Sequence, residues 1–239
     1  MVLPATISLP ADIELKQDGS VISDSSSRSI SAEALAWELA QKAGGSSGDD
    51  QSNAVAVDSN GDVYVTGAFE QTATFGSTTL TTAGNDDIFV AKMNSTGHWL
   101  WAVQAGGTYD DQGMDLAIDS AGNVFLTGKF QNTAQFGSDS MTAGPTSNDD
   151  FFIAKIDTWG NWQWVEGVDC HNNGRCYGTS VAVDSAGYAY VTGSFTRDVD
   201  FGTTTLTWAG VEDIFAVSYT HLRAHETRHD LVCRLLLEK

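Results

Sequence analysis

One eleven-residue phrase is written three times along this chain. Val57 to Gly67 reads VDSNGDVYVTG, Ile118 to Gly128 reads IDSAGNVFLTG, and Val183 to Gly193 reads VDSAGYAYVTG. Self-similarity at a period of about sixty residues restricts the chain to repeat architectures, in which each unit completes its neighbour's core.

Other landmarks keep the register. Trp37, Trp99 and Trp162 open the units, Phe75-Gly76, Phe136-Gly137 and Phe201-Gly202 mark their middles, and Asp87-Ile88-Phe89, Asp150-Phe151-Phe152 and Asp213-Ile214-Phe215 come near their ends. Within a unit the pattern is β. Short runs rich in β-branched and aromatic residues, such as Asp62 to Thr66 and Ile88 to Lys92, alternate with turns such as Asp58 to Gly61 and Asn94 to Gly97. Each unit has four main strands and a side hairpin. Several strands are apolar on both faces, as sheets packed between other sheets require. The expected fold is all-β: an incomplete β-propeller of about three four-stranded blades in an open arc. The blades are expected at 37–98, 99–161 and 162–217, the last truncated, after a Ser-rich lead-in over 1–36. A β-solenoid is the rival, but its rungs are usually shorter than this period.

The VDSNGDVYVTG stretch, the DIFVAK strand with its turn before the next Trp, and the opening Trp101 to Gly107 resemble the SBBP-type bacterial β-propeller repeats. The resemblance covers roughly 37 to 216. The third unit departs from the opening pattern at Trp164 to Gly167. The resemblance implies a propeller of an envelope or secreted bacterial protein, hence an extracellular or cell-surface location, and implies no activity. Three blades are too few to close a ring, so the chain reads as part of a longer protein whose missing blades are its first partners.

A net charge of −19 repels a nucleic-acid backbone and anionic membrane surfaces. No stretch is long and apolar enough to span a bilayer, so no membrane insertion is expected. Cys170 and Cys176 flank an inserted loop and suit a disulfide in an oxidising compartment; a metal pair with His171 is the alternative.

From Ser218 to Lys239 the repeat stops. This segment carries three of the five His and four of the twelve Lys and Arg, and it resembles translated read-through of a sequencing adapter. It is treated as non-native. On the other reading, His221, His225 and His229 stand at helical spacing suited to a metal.

Three groups of residues are candidates for function. The acidic pairs Asp49-Asp50 and Asp110-Asp111 are weak Ca²⁺ candidates, although their spacing differs from the twelve-residue calcium loop and suits turn-capping; no other cofactor is implied. Trp99 and Trp101 are expected on one strand face, as are Trp162 and Trp164. These could grip a ligand or fill the space between blades. Asp58, Asp119 and Asp184 recur in equivalent turns, whereas a catalytic group belongs to a singular constellation. No catalytic residue is assigned. The expected function is a non-catalytic scaffold for a protein or glycan ligand. The alternatives are a carbohydrate-binding module, with Ca²⁺ as a possible aid, and the propeller portion of a larger enzyme.

Overall fold

The computed structural model describes residues 39–143, 148–168, 170 and 174–219, with the backbone of three two-residue strands outside that range. Two of these, β1 (Glu14–Leu15) and β2 (Val21–Ile22), pair antiparallel in a unit of their own, Met1–Ala40. Trp37 and the rest of the lead-in lie outside the described residues.

The second unit, Gln41–Lys239, is built from three antiparallel sheets. The first contains β3 (Asp50–Val57), β4 (Val63–Phe75), β5 (Thr78–Met93) and β6 (Trp99–Gly107), in that order. In the next repeat come β7 (Gln112–Ile118), β8 (Val124–Gln131), the side hairpin β9 (Thr133–Phe136) and β10 (Asp139–Thr142), then β11 (Asp149–Ile156) and β12 (Trp162–Val168). β7, β8, β11 and β12 form the second sheet. The third sheet takes β13 (Cys176–Val183), β14 (Ala189–Phe195), β17 (Asp213–Tyr219) and β18 (Arg234–Leu235); its side hairpin is β15 (Val199–Phe201) and β16 (Thr204–Leu206). No helix forms among the described residues. The chain is all-β, an incomplete β-propeller with sheets that do not close.

Sheets and repeat differ in phase. The repeat opens at Trp99 and Trp162, but hydrogen bonding places each of those strands last of the four main strands of the preceding repeat's sheet. Met93 pairs with Trp99 and Ile88 with Ala105, and the second sheet repeats this with Ile156 to Trp162 and Phe151 to Val168. The reason is local. The turn Asn94–Gly97 folds β6 straight back onto β5, whereas the chain crosses to the next sheet only after Gly107.

The side hairpins tie each sheet to the one before it. β9 pairs with β6 through Ala105↔Phe136, Gly106↔Gln135 and Gly107↔Ala134. Single bridges, Gly44↔Thr74 and Cys170↔Val199, repeat the contact in the flanking repeats.

Apolar cores lie between the sheets. Tyr64, Ile88 and Val90 of the first meet Leu116, Leu126 and Phe152 of the second, with Phe136 of the side hairpin between them. Phe125, Phe151 and Ile153 meet Val181, Val191, Phe201 and Phe215 of the third. A further cluster, Phe69, Phe75, Phe89 and Ala91, lines the other face of the first sheet. This two-faced burial is the reason strands such as β8 and β11 are apolar on both faces.

Ser218 and Tyr219, which begin the segment read as foreign, continue β17. They occupy the places held by Lys92–Met93 and Lys155–Ile156 in the other sheets, and the Tyr219 ring lies 4.8 Å from that of Trp164. The rest of that segment, including His221, His225 and His229, lies outside the described residues apart from the β18 backbone.

Candidate functional site

Five tight turns at one end of the sheets share one construction. The Asp58 carboxylate accepts the backbone N–H groups of Asn60 at 2.8 Å and Asp62 at 3.0 Å, while its own carbonyl accepts from Gly61. Asn94, Asp119, Asp157 and Asp184 repeat this cradle. Each turn needs a glycine: Gly61, Gly97, Gly122, Gly160 and Gly187 sit at φ of 80, 85, 81, 91 and 86°. Burial by itself would raise the Asp58 carboxyl. The N–H groups of Asp62 and Asn60, the Tyr64 hydroxyl and Lys92 outweigh it and hold the group below the ordinary carboxylate range. Asp119 and Asp157 are lowered in the same way against burial, and Asp184 chiefly by the Tyr188 N–H. These recurring aspartates are therefore engaged by their own turns. Lys92 pairs with Asp58 at 3.6 Å and sits over the Tyr64 ring, Lys155 repeats this with Asp119 at 3.5 Å and Phe125, and Lys92 adds a second ion pair with Asp62 at 2.9 Å.

The cradles fix the backbone and leave the tips free. Ser59, Asn60, Ser120 and Ala121 point to solvent on adjacent turns, with a cleft of about 320 Å³ between them that Thr158 also lines. Next to Thr158 stands Trp159, 75% exposed, at the tip of the Asp157 turn. Sequence reasoning passed over Trp159. Its signal was its place in Asp157-Thr158-Trp159-Gly160, where the other turns carry the small residues Asn60, Thr96, Ala121 and Ala186.

The four candidate tryptophans are placed otherwise than a strict two-residue alternation predicts. Lys92 pairs with Trp101 and Met93 with Trp99, so Leu100 is an extra residue in a β-bulge; Gln163 is its counterpart in the next sheet. A bulge turns the neighbouring side chains to opposite faces. Trp99 packs edge-on against Phe75, whereas Trp101 packs against Tyr64 on the far side and donates its indole N–H to the Thr158 carbonyl at 3.1 Å. Trp162 meets Phe136 and Trp164 meets Phe125 in the same division. All four are half-buried packing residues.

The acidic pairs lie at the opposite strand ends, Asp110-Asp111 where the first sheet is joined to the second and Asp49-Asp50 at the start of β3. Asp111 is wholly buried and accepts from Gly107 N–H at 2.7 Å and Gln131 N–H at 2.9 Å. Asp50 holds Gly45 N–H in the same way, at 2.7 Å. A hard cation at either carboxylate would have to displace these donors. Asp87, buried beside Asp111, accepts from Ala83 N–H through one oxygen and leaves the other without a partner. Gly106 lies between the two carboxylates: a Cβ there would stand 2.6 Å from Asp87 Oδ1 and 3.0 Å from Asp111 Oδ2. Burial raises Asp87 to about 6 against the Ala83 N–H, with Asp86 adding to the rise. Burial likewise raises Asp111 to about 7 against its two N–H donors. At mildly acidic pH the pair carries a proton.

At the next junction the equivalent positions hold Cys170 and Cys176, joined by a disulfide, with Asp150 accepting from Cys170 N–H at 2.9 Å. His171 lies outside the described residues. The part played by Asp87 and Asp150 was recoverable from the acidic residues recurring before Ile88, Phe151 and Ile214, but only their partners across the junction reveal it.

The model of the SBBP beta-propeller repeat matches residues 40–68, 100–129 and 171–194. Three segments of the chain are thus similar to the SBBP beta-propeller repeat. Each match runs through a cradled turn and ends in the strand after it, and the second begins in β6, the closing main strand of the first sheet. The chain is also similar to the regulatory protein FlaEY of Caulobacter vibrioides, with 29% identity over 118 residues, 48% of this chain and 12% of that protein.

Proposed function

We propose that these SBBP repeats form a non-catalytic binding scaffold, displayed on the surface of, or secreted by, a bacterium as part of a longer protein, with the turn rim as its contact surface. The observation that carries this reading is Trp159, an exposed indole on a cradled turn, beside the cleft between the Asp58 and Asp119 turns. Exposed Trp on a preorganised backbone is a strong anchor, because little order is lost on binding. The aspartates that could have served chemistry are held by backbone donors, which favours contact over catalysis. FlaEY is named a regulatory protein, and the matched stretch is a small part of it. A repeat module within a larger protein suits that relation.

A glycan ligand is the second reading. An indole face beside hydroxyls and carboxylates suits a sugar ring, which stacks on the aromatic and bonds through its hydroxyls. Glycan and protein arrays probed with and without chelator separate the readings and test for Ca²⁺. Trp159→Ala is expected to weaken binding at least tenfold without altering the melting temperature. A ligand bound equally well by wild type and variant overturns the rim as the site.

A further inference from the structure

Three side chains of metal-ligating type converge in the second junction. Asp150, Cys170 and Cys176 are 3%, 4% and 0% exposed. A carboxylate oxygen and the two Sγ atoms all lie within 4.8 Å of one another. Among the described residues no other group of three or more His, Cys, Asp or Glu side chains is gathered so closely. Asp150 Oδ1 accepts the Cys170 N–H at 2.9 Å and stands 4.0 Å from Cys176 Sγ.

In the disulfide the two sulfurs are bonded to each other. Reduction changes what they can do. A phosphine or a low-molecular-weight thiol gives up two electrons, the S–S bond breaks, and each sulfur takes a proton. A divalent ion then displaces both protons, because the thiolate is the ligand form. Two thiolates with one carboxylate select a borderline ion such as Zn²⁺ over Ca²⁺ or Mg²⁺. Tetrahedral bonds of about 2.3 Å to sulfur and about 2.1 Å to oxygen set ligand separations of about 3.5–3.8 Å. The Asp150 oxygen is already close to that distance from Cys176, held there by the Cys170 N–H.

We propose that the reduced chain binds one Zn²⁺ through Asp150, Cys170 and Cys176, with water in the fourth position. The sulfurs part by about 2 Å to admit the ion, between Cα atoms 5.9 Å apart. The double charge of the ion offsets that of the buried thiolates. The second junction is then closed in both redox states, by a covalent bond in an oxidising medium and by the metal in a reducing one. Cys170 bridges to Val199 of the third repeat's side hairpin and Cys176 begins β13, so either closure fixes the point where the chain passes from the second sheet to the third.

The test uses the full chain with Cys233→Ser, which removes the third cysteine. After reduction with a phosphine, one equivalent of Co²⁺ is expected to give the near-ultraviolet charge-transfer band of thiolate ligation, and Zn²⁺ to abolish it. Zn²⁺ is expected to raise the denaturation midpoint of the reduced chain. It should leave that of the oxidised chain, and of Cys170→Ala with Cys176→Ala, unchanged. The C-terminal histidines are common to all these forms and give no thiolate band. A reduced chain without the band or without the zinc-dependent shift overturns the site, and so does an equal shift in the double variant. Asp150→Asn keeps an acceptor for the Cys170 N–H, so it is expected to remain folded and to bind Zn²⁺ at least about tenfold more weakly. Binding as tight as in the parent chain overturns Asp150 as the third ligand.

Discussion

The two internal junctions share an apolar design and differ in their polar ends. Between the first and second sheets, Gly107 and Asp111 are linked by an N–H···O bond and a second carboxylate, Asp87, is buried beside them. Between the second and third sheets, the corresponding Cys170 and Cys176 are linked covalently, with Cα atoms 5.9 Å apart. Charge follows the same division. Asp86 has its carboxyl raised by burial and, further, by the charge of Asp110, whereas Arg175, which replaces Asp110, pairs with Asp149 at 3.5 Å. The position must be closed, and a proton-bearing carboxylate pair or a disulfide closes it. The packed faces beneath are the constant element.

The largest effect should come from that constant element. Phe136→Ala and Phe201→Ala remove equivalent buried rings from the two junctions, and each should cost about 3–5 kcal/mol in chemical denaturation. A large inequality between them would mean that the junctions do not carry stability alike.

Reducing the disulfide, or substituting Cys170→Ala with Cys176→Ala, should cost about 2 kcal/mol, modest because the closed loop is short. Reducing agent should leave the stability of the double variant unchanged.

The first junction should instead respond to pH. Folded-state values near 6 and 7 lie above the ordinary 3.8, so the folded chain keeps protons that the unfolded chain has released. Stability from this pair is full below about pH 4 and declines as pH rises through 6 to 7. The lowered turn carboxylates act oppositely and lose their contribution in acid as pH falls through their depressed values. Asp87→Asn supplies a permanent donor toward Asp111, and should raise stability at pH 8 by about 1 kcal/mol and flatten the decline. An unchanged pH profile in melting experiments would place the titration elsewhere.

Trp159→Ala, at the rim, should change stability by less than about 0.5 kcal/mol, since it packs into neither junction.

Much of this was legible in the sequence. The turns were, because Asp58 bonds to its own backbone within four residues and the pattern recurs at Asp119 and Asp184. Four strands per unit were legible for the same reason. The faces of Trp99 and Trp101 were not, since the extra residue Leu100 is defined only by pairing with β5. The phase of the sheets was likewise a matter of which strand the Trp segment bonds to.

The repeat, the cradled turns and the all-β character depend on contacts a few residues apart and follow from the order of residues. Tertiary structure alone decided that Asp87 meets Asp111 over Gly106 and that the four paired tryptophans pack inward while Trp159 stands free. Those outcomes depend on which sheet stands beside which, and burial is a property of neighbours rather than of residues.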